Sequence, residues 1–223
     1  MNKRQSSDIP SPAPMPVDRE QWLARLDISN FINTYYQCRD IKGLSSCKKI
    51  LIVGLGQGLD AAVFKWQGYD VTTFDIDEAF HPNYVGSVHD MQFFSDKEFD
   101  AVIASHVLEH LPLPYLDTAL AEISRVSRFS LIYLPVHGRH FQLRLNPGFS
   151  RGCVSVNVDL FNYMARPDGI VPRYMAGQHY WEVGMRGFRV RDIKKRFSKN
   201  FHILKSYRNK DWLPSYNFVL RSN

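Results

Sequence analysis

The chain has 223 residues, 44% hydrophobic and 13% aromatic, which suffices for one domain with a real core and argues against wholesale disorder. Its formal charge of +6 points to an anionic partner without defining one, and no uninterrupted apolar run approaches the roughly 18–20 residues that span a bilayer. Residues Met1–Asp8 lack the apolar stretch of a secretory signal. Cys38, Cys47 and Cys153 show no CxxC spacing, which argues against a disulfide framework or a zinc site and for reduced thiols in a cytoplasmic protein.

In chain order, Pro10, Pro12, Pro14 and Pro16 make residues 1–17 a flexible tail, because alternate prolines support neither a helix nor a central strand. Residues 18–45 read as a helical segment: Trp22, Leu23, Leu26, Ile28, Phe31, Ile32 and Tyr35 recur at helical spacing. The remainder, 46–223, reads as the main domain. Strands are expected at Lys49–Val53, Tyr69–Phe74, Tyr84–Ser87, Phe99–Ala104 and Phe129–Leu134, with helices at Leu59–Gln67 and Pro114–Ser127 between them. Alternating strands and helices with near-continuously apolar strands predict an α/β fold, a mostly parallel sheet covered on both faces. Residues 138–184 break the rhythm with glycines, prolines and aromatics, and read as a lid or substrate insertion after strand 5. Val190–Phe197 then reads as a helix, and Phe201–Ser206 with Asn217–Arg221 as an antiparallel strand pair.

The most informative stretch is Leu51–Gly58, where Gly54, Gly56 and Gly58 leave a strand and enter a helix. Glycines there permit a sharp turn and a close approach of ligand to backbone. The spacing is GxGxG, and Leu59 stands where a dinucleotide-binding loop wants its third glycine, which disfavours NAD or FAD. Asp75 ends the next strand, where a carboxylate accepts hydrogen bonds from two ribose hydroxyls and repels a 2′-phosphate.

With these features in order, followed by VHDMQFF and FDAVIASHVLEHL, roughly residues 48–135 resemble class I S-adenosylmethionine (SAM)-dependent methyltransferases of the type 11 group. The resemblance implies a Rossmann-like seven-stranded sheet in the order 3-2-1-4-5-7-6 and methyl transfer from SAM. It also implies residue roles. Gly54, Gly56 and Gly58 would line the methionine and ribose, Asp75 would hold the ribose hydroxyls, and Ile76 would pack on the adenine. Asp90 would accept from the adenine amino group beside Met91, while Ser105 and His106 would border the methionine end and the acceptor entrance. The family's usual acid two positions before the first glycine is replaced by Ile52; backbone carbonyls or Asp60 are the alternatives for holding the SAM amino group.

A base is needed only for an acceptor that loses a proton, and histidine suits that task near neutral pH. His106, His137, His140 and His179 fall near the expected acceptor side and are the catalytic candidates. No metal ion is expected, since nothing fixes the mutual distances of His137, His140, His179 and Glu182. Tyr35, Tyr36, Tyr174, Tyr180 and Trp181 are candidates for either pocket wall or core.

The leading expectation for the acceptor is an oxygen or nitrogen of a small molecule or glycan, enclosed by the aromatic insertion. An RNA or protein acceptor is the alternative, motivated by the basic stretch Arg186–Lys210; against it, the [DN]PP[FYW] loop of base-amino methylases is replaced by Ser105-His106-Val107-Leu108. A third reading is a non-catalytic SAM-binding protein. No pattern in the sequence specifies a membrane contact or an oligomeric state.

Overall fold

The computed structural model describes residues 10–14, 20, 24, 27–145, 154–160, 165–173 and 178–223. Helix α1 (Ile28–Lys42) precedes β1 (Lys49–Val53), α2 (Leu59–Trp66), β2 (Asp70–Asp75), β3 (Tyr84–Val85) and β4 (Phe99–Ser105). Then follow α3 (Leu113–Val126), β5 (Ser127–Pro135), β6 (Arg139–Leu145), β7 (Val154–Leu160), α4 (Val190–Phe197), β8 (Phe201–Arg208) and β9 (Ser215–Ser222). The main sheet runs β3-β2-β1-β4-β5-β9-β8. With the inserted β6–β7 pair counted apart, this is the expected Rossmann-like order; β9 is antiparallel to both β5 and β8.

Both faces of the sheet are apolar because its central strands are buried on both sides. Along β1, Leu51 and Val53 point into one core with Val102, Ala104, Ile132 and Leu134. That core is completed by Leu120 and Ile123 of α3 and by Ile193 and Phe197 of α4. Ile50 and Ile52 point the other way, into a second core with Ala101, Ile103, Leu131 and Tyr133. Tyr36 and Ile41 of α1 and Phe64 of α2 cover that side.

Helix α1 is entered through Asp27, whose carboxylate accepts from the Ser29 amide at 2.7 Å while Asn30 returns a bond to the Asp27 amide at 3.0 Å, a reciprocal cap. Its apolar stripe packs only in part, through Ile32. Ile28, Phe31 and Tyr35 are 76%, 52% and 62% exposed, and the buried side carries Tyr36, Gln37, Asp40 and Ile41. The reason is Asp40. Its buried carboxylate accepts from the Tyr133 hydroxyl at 2.8 Å, from the Tyr207 hydroxyl, and from Lys205 Nζ at 3.1 Å. These charge-assisted bonds turn the polar face inward and join the helix to β5 and β8. Trp22, Leu23 and Leu26 lie outside the described residues.

Within the segment 138–184, read from the sequence as a lid or substrate insertion, β6 and β7 form an antiparallel hairpin in register from Arg139↔Leu160 to Leu145↔Val154. Phe141, Leu143 and Val158 of this hairpin are more than half exposed. Further on, the chain returns to the body: Tyr180 N donates to Glu109 O at 2.8 Å, Val183 N to Pro135 O at 2.9 Å, and His137 N to Val183 O at 2.8 Å. Trp181 and Tyr36 are core residues, each 1% exposed. Tyr174 lies outside the described residues, and no helix among those described is long and apolar enough to cross a membrane.

Removing the Asp40 carboxylate leaves the buried Tyr133 hydroxyl and the half-buried Tyr207 hydroxyl without this acceptor. Asp40→Ala is expected to cost about 3–5 kcal/mol, the scale of a broken buried charged network, and Tyr133→Phe about 1 kcal/mol, both read from urea unfolding. Equal, sub-kcal losses for the two would show that α1 is not held through Asp40.

Candidate active site

Strand order reverses between β1 and β4, which leave the sheet centre toward opposite edges. The crevice at the carboxyl ends of such strands is where open α/β sheets place ligands. The glycine loop leaves β1 at that point, Asp75 ends β2, and Ser105 ends β4.

The loop is held in a conformation that glycine makes accessible. Gly54, Gly56 and Gly58 have φ of +78°, +50° and +72°. A Cβ on Gly54 would lie 2.3 Å from Cγ2 of Val107, so that glycine is demanded by packing as well as by its dihedral. Buried Asp75 accepts from the Leu55 amide at 2.6 Å with Oδ2 and from the Asp77 amide at 2.9 Å with Oδ1. Its carboxylate therefore ties the glycine loop to the exit of β2. Two of its roughly four lone-pair directions are used, and the others remain for a ligand.

Asp60 sits in the first turn of α2, half-buried, and accepts from the Ala61 amide at 2.8 Å. Burial pushes its carboxyl up to about 6, against the lowering effect of its hydrogen bonds with Ala61 and Gln37. No cation pairs with it among the described residues. Ile52, by contrast, is 1% exposed and packed in the core with Tyr36 and Phe64, so no polar group stands in for the missing acid at that position.

The other cofactor candidates are spread around the same edge. Ile76 follows β2 half-buried, and Asp90 is exposed with its amide on Ser87 O at 2.8 Å. Met91 is buried; its amide donates to Glu122 Oε2 at 2.9 Å and its carbonyl accepts from Arg125 at 3.0 Å, so it is engaged with α3.

Four histidines gather around two glutamates. His106 leaves β4 in a left-handed conformation, φ +56°, rare for a residue with a side chain and typical of functional turns. Its Nε2 lies 3.3 Å from Ser215 Oγ and its Nδ1 3.5 Å from Glu109 Oε1. His137, after β5, has Nδ1 2.7 Å from Glu182 Oε2, and His179 has Nδ1 2.8 Å from Glu182 Oε1. His110 Nδ1 donates to Gln178 O at 2.9 Å. Burial would push the Glu182 carboxyl up, but His179 and His137 hold it below its ordinary value. The same holds for Glu109 with His106, His110 and His179, while burial pushes His110 down toward its neutral form.

His140 stands apart from this group. Its Nδ1 accepts from Arg208 at 2.9 Å and its Nε2 donates to Val136 O at 3.1 Å. Glu109 and Val107 were not singled out in the sequence. The only signal was an acid between two histidines in an otherwise apolar SHVLEHL.

Residues 51–129 match the family model described as a methyltransferase domain. No curated protein matches the chain. Among solved structures, the PH0226 protein from Pyrococcus horikoshii OT3 is similar at 15% identity and TM-score 0.57, over 90% of this chain and 93% of that one. A 1,6-didemethyltoxoflavin-N1-methyltransferase from Burkholderia thailandensis, with bound 1,6-didemethyltoxoflavin and S-adenosylhomocysteine, is similar at 17% identity and TM-score 0.51, over 96% and 94%. The glycopeptide N-methyltransferase MtfA, complexed with S-adenosylhomocysteine, is similar at 11% identity and TM-score 0.54, over 96% and 100%. At these identities the structural likeness establishes the fold.

The packing of Val107 on Gly54 gives the loop a thermodynamic test. Gly54→Ala combines a left-handed alanine with a steric clash and should cost roughly 2–4 kcal/mol in urea unfolding. Val107→Ala should relieve part of that loss, giving a favourable coupling in the double-mutant cycle; strict additivity would show that the two residues do not press on one another.

The family match at residues 51–129 spans the glycine loop, Asp75 and the β4 exit, and the sheet has the Rossmann-like order that goes with it, so the chain carries a methyltransferase domain on a Rossmann-like α/β fold.

Proposed function

We propose that this enzyme transfers the SAM methyl group to an oxygen or nitrogen of a small-molecule or glycan acceptor at the carboxyl ends of β4 and β5. The observation that carries the cofactor half is the Asp75 carboxylate, bonded to Leu55 and Asp77 with lone pairs left over. In this reading it receives the ribose hydroxyls, Gly54, Gly56 and Gly58 leave room for the methionine and ribose, and Ile76 packs on the adenine with Asp90 at its amino edge. Asp60, a half-buried carboxylate lacking a cation among the described residues, suits the ammonium group and replaces the acid absent at Ile52. SAM brings an activated methyl group; the protein's task is to align the nucleophile with it, an advantage that reaches roughly 7–11 kcal/mol in well-oriented systems.

On the acceptor side, Ser105 and His106 border the methionine end. Glu182 accepts the Nδ1 proton of His137 and orients the imidazole at the end of β5, where it is the candidate base for an acceptor that loses a proton. The segment 138–184 is the substrate insertion: its hairpin rises directly from the end of β5 and exposes Phe141 and Leu143, which suit an acceptor with apolar parts. The small-molecule N-methyltransferase from Burkholderia thailandensis and the glycopeptide N-methyltransferase support this class of acceptor by their fold alone.

Support for RNA weakens on inspection of the basic stretch. Arg196 and Lys199 share Asp117 at 3.0 and 3.3 Å, Arg191 pairs with Asp192, and Lys205 with Asp40. Small hydroxylated or amino-bearing acceptors, assayed by release of S-adenosylhomocysteine, are expected to turn over. Methylation of RNA, with binding that falls steeply with salt, would overturn the acceptor assignment.

Asp75→Ala should weaken SAM binding by about 1.5–3 kcal/mol, the scale of charged hydrogen bonds, in isothermal titration; unchanged affinity would displace the ribose from Asp75. Asp60 titrates near 6 and must be ionised to hold an ammonium group. Binding therefore releases a proton at low pH, so SAM affinity should rise with pH through about 6 and then level off, and Asp60→Asn should flatten that rise. The same pH profile in Asp60→Asn would remove Asp60 from the cofactor site.

A further inference from the structure

The histidine–glutamate cluster contains more than the methyl-transfer reading uses. Glu109 is 0% exposed, and neither of its carboxylate oxygens has a hydrogen-bond partner among the described residues. The nearest nitrogen, His106 Nδ1 at 3.5 Å, is too far for a normal hydrogen bond. An ionised carboxylate without a partner is among the most unfavourable groups to bury.

Two imidazoles converge on it. His110 Nε2 and His179 Nε2 each lie 4.0 Å from Glu109 Oε1. Their opposite nitrogens define their tautomers. His110 Nδ1 meets the Gln178 carbonyl, so it carries the proton, and His179 Nδ1 meets the Glu182 carboxylate, so it does too. In the neutral rings both Nε2 atoms, each 4.0 Å from Glu109 Oε1, then carry no proton and cannot donate to the carboxylate. Electron pairs gathered around a buried anion are unfavourable unless a proton or a metal cation stands between them.

The geometry points to a divalent transition-metal ion bound by Glu109 and by Nε2 of His110 and His179. The three ligand atoms lie within 4.8 Å of one another. A tetrahedral ion with bonds of about 2.0–2.1 Å sets its ligands roughly 3.3 Å apart, so small side-chain rotations complete the site. The outer partners are of the kind metal-bound histidines use, a backbone carbonyl for one and a carboxylate for the other. Two imidazoles and one carboxylate select a zinc-like or iron-like ion over calcium or magnesium. Three protein ligands leave a fourth position for water or for a heteroatom of a substrate. The ion would join the turn after β4 to the segment 178–183, already linked by the Tyr180–Glu109 backbone bond.

Cobalt(II) is the probe, because its visible absorption reports coordination directly. Chelator-treated full-length protein titrated with Co²⁺ should develop the d–d bands of a four-coordinate ion at one ion per chain, and Zn²⁺ should erase them. His110→Gln and His179→Gln should each lower Co²⁺ affinity at least 100-fold, and Glu182→Gln about 10- to 100-fold through the outer shell. His202→Gln, on β8 away from the cluster, should bind as the unaltered protein does. SAM titrations on the same samples separate this site from the cofactor reading, which does not depend on the ion. Folded protein that binds no Co²⁺ in excess would overturn the proposal without need of any variant. So would unaltered Co²⁺ affinity in a folded His110→Gln, His179→Gln double variant.

Discussion

The hydrogen bonds that the Asp75 carboxylate accepts from the Leu55 and Asp77 amides are the constraint on which the proposed cofactor site depends. The glycine loop has little side-chain material of its own to hold it. Three left-handed glycines in five residues would cost much of the loop's order in entropy. A buried carboxylate reaching from the neighbouring strand offsets that cost and joins two strand ends into one surface. Val107 completes the arrangement from the β4 side by filling the space that a side chain at Gly54 would need. One residue of each of three adjacent strand exits thereby shapes the crevice at which the sheet order reverses.

Much of this was legible in the sequence because it is local. The apolar runs of β1, β4 and β5 and the glycine spacing are properties of short windows, and strand alternation implies the parallel sheet. The hairpin in 138–184 is not signalled strongly, although Phe141, Leu143 and Leu145 alternate with polar residues and stand in backbone register with Val158, Val156 and Val154. The prolines and glycines between and beyond the two strands dominated the reading of the segment. Helix α1 was legible only in part. Its apolar spacing marks a helix but not its buried face, which is set by a single buried acid, Asp40, that binds two tyrosines and a lysine from β5 and β8. Periodicity reports average apolarity and is blind to one strong polar contact.

The acceptor side was the least legible part, and for a topological reason. Glu109 lies some seventy residues before His179 and Glu182 in sequence, and only the return of the chain after the hairpin brings them together. The backbone bond from Tyr180 to Glu109 and the Val136–Val183 bridge set that return. As a result, the candidate histidines divide by environment. His137 and His179 share Glu182, His106 and His110 border Glu109, and His140 is committed to Arg208 and Val136. Residue type alone gave all of them equal standing.

The account's central claim is that the nucleoside of SAM lies across the crevice between the glycine loop and Asp75, with its ammonium group at Asp60. A crystal structure of the protein with S-adenosylhomocysteine tests it most directly. The account predicts both ribose hydroxyls on the Asp75 carboxylate and the amino group within hydrogen-bond distance of Asp60. A nucleoside seated elsewhere, with Asp75 bonded only to Leu55 and Asp77, would contradict it.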